Sequence, residues 1–268
     1  PDWVKLLAMA LIAVGFFAVG AIVFWAAIVP IPSITSFENR AVAQSTKIYD
    51  RTGQIVLYDV HGTVRRTSVP LEEISQKVQD ATIAIEDASF YSHHGFRPLA
   101  FLRALWINVT TGDLLGQGGS TITQQVVKNA LLTQDKKPTR KLKEIILALR
   151  LERLYSKEEI LNTYLNENPY GGTIYGIQEA SQYFFGVDAK DVGLAQAAYL
   201  AALPQAPTRY SPYGNNRDLL DRRKNLVLDK MLEHAFITAA EHEDAKAEVV
   251  QFRDETEAGI KAPHFVFY

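Results

Sequence analysis

Glu86 and Asp87 stand side by side at the end of an apolar run, Thr82-Ile83-Ala84-Ile85, and open the string EDASFYSHHGF (86–96). A carboxyl group pressed against apolar side chains has its charged form disfavoured, so its pKa moves toward values that suit proton transfer. Downstream, Gly118-Gly119-Ser120-Thr121-Ile122-Thr123-Gln124-Gln125 reads as a turn entering a helix. Ser120 or Thr121 can cap that helix, whose free N–H groups and positive dipole end attract an anion. A basic stretch follows, Lys136, Lys137, Arg140, Lys141 and Lys143, with Glu144 close behind. A proton acceptor, an anion-binding turn and a group of cations together suit transfer of a group away from a phosphate leaving group. No Gly-Lys-Ser/Thr occurs, so a nucleotide P-loop is excluded.

Taken singly, each feature has an ordinary explanation. Glu86 could be an exposed acid at a helix end, and the glycines a plain turn. Arg140 and Glu144 could form an i,i+4 salt bridge worth about 0.3–0.5 kcal/mol. His93 and His94 are neighbours whose side chains project differently, so they predict hydrogen bonding to the backbone rather than a shared metal.

The elements that must position these residues are mostly helical. Apolar residues recur at helical spacing over 78–87 and 98–109, and further helices are expected over 119–132, 139–155, 157–165, 174–184, 191–203, 216–236 and 238–249. In the 139–155 helix, Leu142, Ile145, Ile146 and Leu149 form the expected core stripe. Arg140, Glu144, Leu147 and Leu151 share the opposite side, and charges flanked by leucines there suggest the wall of a cleft. The segment 45–60 reads as two short strands around Asp50-Arg51-Thr52-Gly53.

Leu6 to Val29 carries no charge, enough helix at 1.5 Å per residue to cross about 30 Å of hydrocarbon. Trp3 and Trp25 would mark its two interfaces, and Pro30 and Pro32 end it. A signal peptide would have a shorter apolar core. A net charge of −2 gives no basic field for nucleic acid. With no cysteine, disulfides, thiolate nucleophiles and Cys-ligated zinc are all excluded.

Read together, these strings resemble the glycosyltransferase domain of class A penicillin-binding proteins, the peptidoglycan polymerases. The first motif of that family matches Glu86, Asp87, Phe90, His93 and Gly95; its second matches Gly118 and Ser120 through Gln125; its third matches Arg140, Lys141 and Glu144. KEEILNTYLN (157–166) and LAQAAYLAALPQAPTRYSP (194–212) resemble the fourth and fifth, and the likeness covers about 45–265. Two positions depart from the pattern: Asn162 and Gln196 stand where the family often has glutamate.

The resemblance implies a mainly α, lysozyme-like glycosyltransferase domain with a small β-hairpin, preceded by one transmembrane helix. It divides the chain into an anchor (1–32), a linker with the β element (33–70), the glycosyltransferase domain (71–262) and the start of a link (263–268) toward a transpeptidase domain. No Ser-x-x-Lys, Lys-Thr-Gly or Ser-x-Asn occurs in these residues, so none of them predicts covalent reaction with penicillin.

The implied substrate is lipid II, polymerised with inversion into a β-1,4 glycan with release of undecaprenyl pyrophosphate. Glu86 and Glu144 are the implied catalytic carboxylates, Glu86 as general base. The implied substrate-binding residues are Asp87, Phe90, His93, Arg103, Gly118, Ser120, Thr121, Thr123, Gln124, Gln125, Lys128, Arg140, Lys141 and Asn166. Glu144 is the expected ligand should the reaction use Mg²⁺ or Mn²⁺, and no organic cofactor is expected. The expected setting is the bacterial cytoplasmic membrane, crossed once, with the domain on its outer side beside other wall-synthesis proteins. Two rival readings are a lysozyme-type hydrolase, which needs no pyrophosphate site, and a non-catalytic scaffold.

Overall fold

The computed structural model describes residues 65–101, 119–130 and 139–254, the strands at 46–49 and 56–60, and isolated positions between Trp3 and Thr110. The expected hairpin is present. β1 (Thr46–Tyr49) and β2 (Val56–Val60) pair antiparallel, with Thr46 opposite Val60 and Ile48 opposite Tyr58.

Eight helices of two turns or more lie wholly among the described residues: α1 (Gln76–Glu86), α2 (Ile122–Ala130), α3 (Thr139–Leu154), α4 (Lys157–Glu167), α5 (Ile177–Phe185), α6 (Leu194–Ala202), α7 (Arg217–Glu233) and α8 (Ala239–Ala247). They form two groups. α6 is alanine-rich and apolar nearly all round, the pattern of a helix sunk in a core. Residues 197–202 are all buried, and α1 and α7 pack against it. In the second group α2 packs against α3 and α4. The expected helix over 98–109 is seen at 98–101 and 103, and the rest of it lies outside the described residues.

α3 buries a different face from the one its leucines suggest. Of the expected stripe, Ile146 is buried and Ile145 half-buried, but Leu142 and Leu149 are exposed, whereas Glu144, Leu147, Ala148 and Leu151 are buried. The side with Leu147 and Leu151 has a smooth partner in Ala148 and packs inward, so Glu144 is carried in with it.

A second small sheet went unforeseen. β3 (Arg65–Arg66) runs parallel to β5 (Ile174–Tyr175), and β5 pairs antiparallel with β4 (Pro169–Gly171). Periodicity alone starts a helix at 174, yet α5 begins only at Ile177. Gly176 explains the delay: its φ is +80°, and a Cβ there would sit 2.8 Å from the carbonyl oxygen of Asn166. That conformation and that approach suit glycine and keep residue 176 outside the helix that follows.

Among the described residues no helix is long and apolar enough to cross a membrane. The described positions between Trp3 and Gly20 are helical, with Leu6, Leu7, Met9, Val14 and Phe17 exposed. Most of the apolar run 6–29 lies outside the described residues.

Candidate active site

The site forms where the end of α1 meets the start of α2. Glu86 is the last residue of α1, and Asp87 is its C-cap. Asp87 is only 2% exposed, and its Oδ2 accepts from the backbone N–H of Ile122 at 3.2 Å, the first residue of α2. A carboxylate on the free N–H end of a helix is a cap, supplied here by another element. The same Oδ2 meets His93 Nε2 at 2.8 Å, and Arg97 reaches Oδ1 at 3.4 Å. Gly95 N donates to His93 Nδ1, so Nε2 carries the imidazole proton and donates to Asp87.

The turn into α2 is a capping box. Gln124 N donates to Thr121 Oγ1 at 3.2 Å and Thr121 N donates to Gln124 Oε1 at 3.0 Å. Thr121 Oγ1 also donates to the carbonyl of Gly95 at 2.8 Å, tying the turn to the 87–97 loop. Thr123, fully buried, donates its hydroxyl to Glu152.

This frame presents two ends. At one, Gln125 Nε2 donates to Glu86 Oε2 at 2.6 Å. Burial pushes the Glu86 carboxyl above the usual carboxylate range. The Gln125 hydrogen bond and the positive charge of Arg223 pull it back down, the charge of Asp87 adds to the rise, and Lys128 lowers it slightly. Tyr164 and Tyr170 lie close enough for the Glu86 charge to act on them. Burial, then that charge, pushes both phenols upward, so both stay neutral donors.

At the other end, Lys141 Nζ donates to Ser120 Oγ at 2.7 Å and to Glu144 Oε2 at 3.0 Å, while Arg140 Nε donates to Glu144 Oε1 at 3.2 Å. Ser120 and Gln125 lie five residues apart across the start of α2, so the Glu86 carboxyl and the cations flank the same helix start.

Of the expected site residues, Glu86, Gln125 and Lys128 come together at the first end, and Ser120, Arg140, Lys141 and Glu144 at the second. Asp87, Phe90, His93, Thr121, Thr123 and Gln124 lie behind them as a frame. Asn166 is 5% exposed and accepts from Val69 N while donating to Val69 O and to Asn162, fastening the 65–69 segment to α4. Arg103 is exposed on the helical stretch that begins at residue 98, and Gly118 lies outside the described residues.

Glu144 holds a cation on each oxygen, and a divalent ion beside Arg140 and Lys141 would be repelled. Among the described residues no three His, Cys, Asp or Glu side chains converge as a metal site. The donor set does not suit a resident metal. The two departures from the family pattern have local partners. Asn162 Oδ1 accepts from Asn166 at 2.9 Å, and Gln196 Oε1 accepts from Gly193 N at 2.9 Å at the start of α6.

Arg223, Tyr164 and Tyr170 were not foreseen as site residues. Arg223 had a signal in the sequence. It falls on the apolar stripe Leu220, Val227, Met231 of α7, where a cation needs an anionic partner.

The sequence pattern of the transglycosylase family matches residues 53–232. Penicillin-binding protein 1A of Aquifex aeolicus is 39% identical over 231 residues, covering 85% of this chain and 31% of that protein. Penicillin-binding protein 1A/1B of Bacillus subtilis is 42% identical over 233 residues, 87% of this chain and 25% of that one. A crystal structure of penicillin-binding protein 1A from Haemophilus influenzae covers 84% of this chain and 23% of its own at 22% identity, with a TM-score of 0.46, too loose to add to the assignment. The chain belongs to the transglycosylase family. It spans between a quarter and a third of the length of these relatives.

Proposed function

We propose that the domain is a peptidoglycan glycosyltransferase that polymerises lipid II. The 4-hydroxyl of the acceptor sugar attacks the anomeric carbon of the growing chain, and Glu86 takes the hydroxyl proton. As the new C–O bond forms, the bond from the anomeric carbon to the pyrophosphate oxygen breaks. The electron pair leaves with undecaprenyl pyrophosphate, inverting the α-linked donor to a β-1,4 product. Proton transfer to a placed base contributes about 10²–10⁴-fold.

What supports this reading above all is one arrangement. A partly buried carboxylate held by Gln125 and a cation pair held by Ser120 and Glu144 sit at two ends of a single helix start. Lys141 and Arg140 are positioned to stabilise charge developing on the leaving pyrophosphate, where fixed donors act most strongly. Glu144 orients both cations. Asp87, His93, Thr121, Thr123, Gln124 and Asn166 hold the geometry rather than the substrate. A hydrolase has no use for the cation pair, which weighs against the lysozyme-type alternative.

The apolar run 6–29 fits a single membrane-crossing anchor, with the domain on the outer face of the cytoplasmic membrane. Tethering raises the effective concentration of two lipid-linked substrates. Other wall-synthesis proteins are the natural neighbours. The test is polymerisation of lipid II by the detergent-solubilised chain. Long glycan supports the reading, while cleavage of preformed glycan, or no reaction, sinks it.

A further inference from the structure

Behind the site lies a buried ion pair that none of the chemistry above uses. Glu152, near the end of α3, and Lys157, the first residue of α4, meet at 2.7 Å, with their side chains 2% and 17% exposed. Taking two charges out of water is costly, and apolar residues of similar size often serve stability as well or better. Its contacts point to a different role. Glu152 accepts the hydroxyl of Thr123 in the first turn of α2. The Lys157 ammonium lies 4.4 Å from the centroid of the buried Phe90 ring. Phe90 N donates to the Asp87 carbonyl at 2.8 Å, and the Asp87 carboxylate accepts from Ile122 N beside Thr123. These links close a ring that runs from Glu152 through Thr123, Ile122, Asp87, Phe90 and Lys157 back to Glu152.

We propose that Glu152 and Lys157 are positioning residues for glycosyl transfer, locking the start of α2 against the 86–90 segment so that Gln125 stays on Glu86. The proposal rests on the glycosyltransferase reading. Neither side chain touches the groups assigned to chemistry, so their loss acts through geometry, and small misplacements of reacting groups cost rate steeply.

The test compares wild type with Glu152→Leu/Lys157→Met, which replaces the pair by apolar groups, and with Thr123→Val, which removes only the hydroxyl. Thermal melting and steady-state polymerisation of lipid II are read on each. The double variant should melt within about 5 °C of wild type. Turnover should nonetheless fall by about tenfold or more, with KM changed by less than about twofold, the mark of a contact made for the transition state. Thr123→Val, the safer fold, should show the same split. Turnover that stays at the wild-type level in Thr123→Val, or that tracks melting temperature across the variants, overturns the proposal. If the wild type itself makes no glycan, the reaction reading is what has failed. Hydrogen exchange at the 122–126 amides then decides: faster exchange in Thr123→Val upholds the lock, and unchanged exchange removes it.

Discussion

Gln125 and Glu86 are joined by a 2.6 Å hydrogen bond between the start of one helix and the end of another. The amide donates to a carboxylate whose burial raises its pKa. It therefore favours the charged form of a group whose surroundings favour the neutral one. Burial raises the carboxyl pKa, and the Gln125 hydrogen bond offsets part of that rise.

Replacing Glu86 by Gln removes the acceptor and keeps an amide oxygen for Gln125. Lipid II turnover is expected to fall by about 10²-fold or more. Stability should move the other way. The folded pKa of Glu86 lies above that of the unfolded chain, so at low pH both states are protonated and nothing is lost. As pH rises past the unfolded value, near 4.3 for a free glutamate, the unfolded chain releases its proton first and the native state bears the penalty. Glu86→Gln should therefore melt higher than wild type at neutral pH, with the gain gone by about pH 4. A variant that melts lower at neutral pH would contradict the burial of this charge.

Arg223 lowers the pKa of Glu86 by its charge alone. Arg223→Gln removes that charge and lets the carboxyl rise further. The acidic limb of the kcat/KM profile should then shift to higher pH, because the base must be ionised to act. An unmoved limb, whatever the rate, would separate Arg223 from Glu86.

Lys141 and Arg140 separate catalytic from structural roles. The Lys141 side chain is 38% exposed, so its contact with Glu144 is screened by water and contributes less than about 1 kcal/mol to stability. Lys141→Ala should melt close to wild type but lose about 10²–10³ in turnover, the usual cost of a donor to developing negative charge. Arg140→Ala should behave alike. Wild-type rates in both would return the helix to an ordinary surface salt bridge.

Helices over 76–86, 122–130 and 139–154 were legible because each carries a helical period and a boundary residue. The helix end at Glu86 and the Ser120-to-Gln125 turn were legible because the residues that form each lie close together in the chain. What stayed hidden is what distant residues do to each other. Thr123 and Asn166 looked like binding residues and proved to face inward, because a hydroxyl or amide reads the same whichever way its helix turns. The inner face of α3 was legible only at Ile146, because two apolar stripes compete on that helix and only tertiary packing chooses between them. The strands 65–66 and 174–175 are too short for any period to show.

Gly95 ties the loop after Asp87 to α3, and its φ of +82° already disfavours any side chain. A Cβ there would lie 2.7 Å from the Ala148 carbonyl oxygen and 2.8 Å from its carbon, and helix backbone at a buried residue cannot readily step aside. Gly172 supplies the comparison, since its φ of +54° is also left-handed but nothing lies within 4 Å of the added atom. Gly172→Ala should cost about 1–2 kcal/mol for the conformation alone. Gly95→Ala bears that cost and a further ~1–3 kcal/mol for the overlap. Because Thr121 donates to the Gly95 carbonyl, the displacement reaches the turn that carries Gln125. Chemical denaturation should rank Gly95→Ala well below Gly172→Ala, and lipid II turnover should drop only in the former. Equal midpoints would mean that the loop can yield without moving α3.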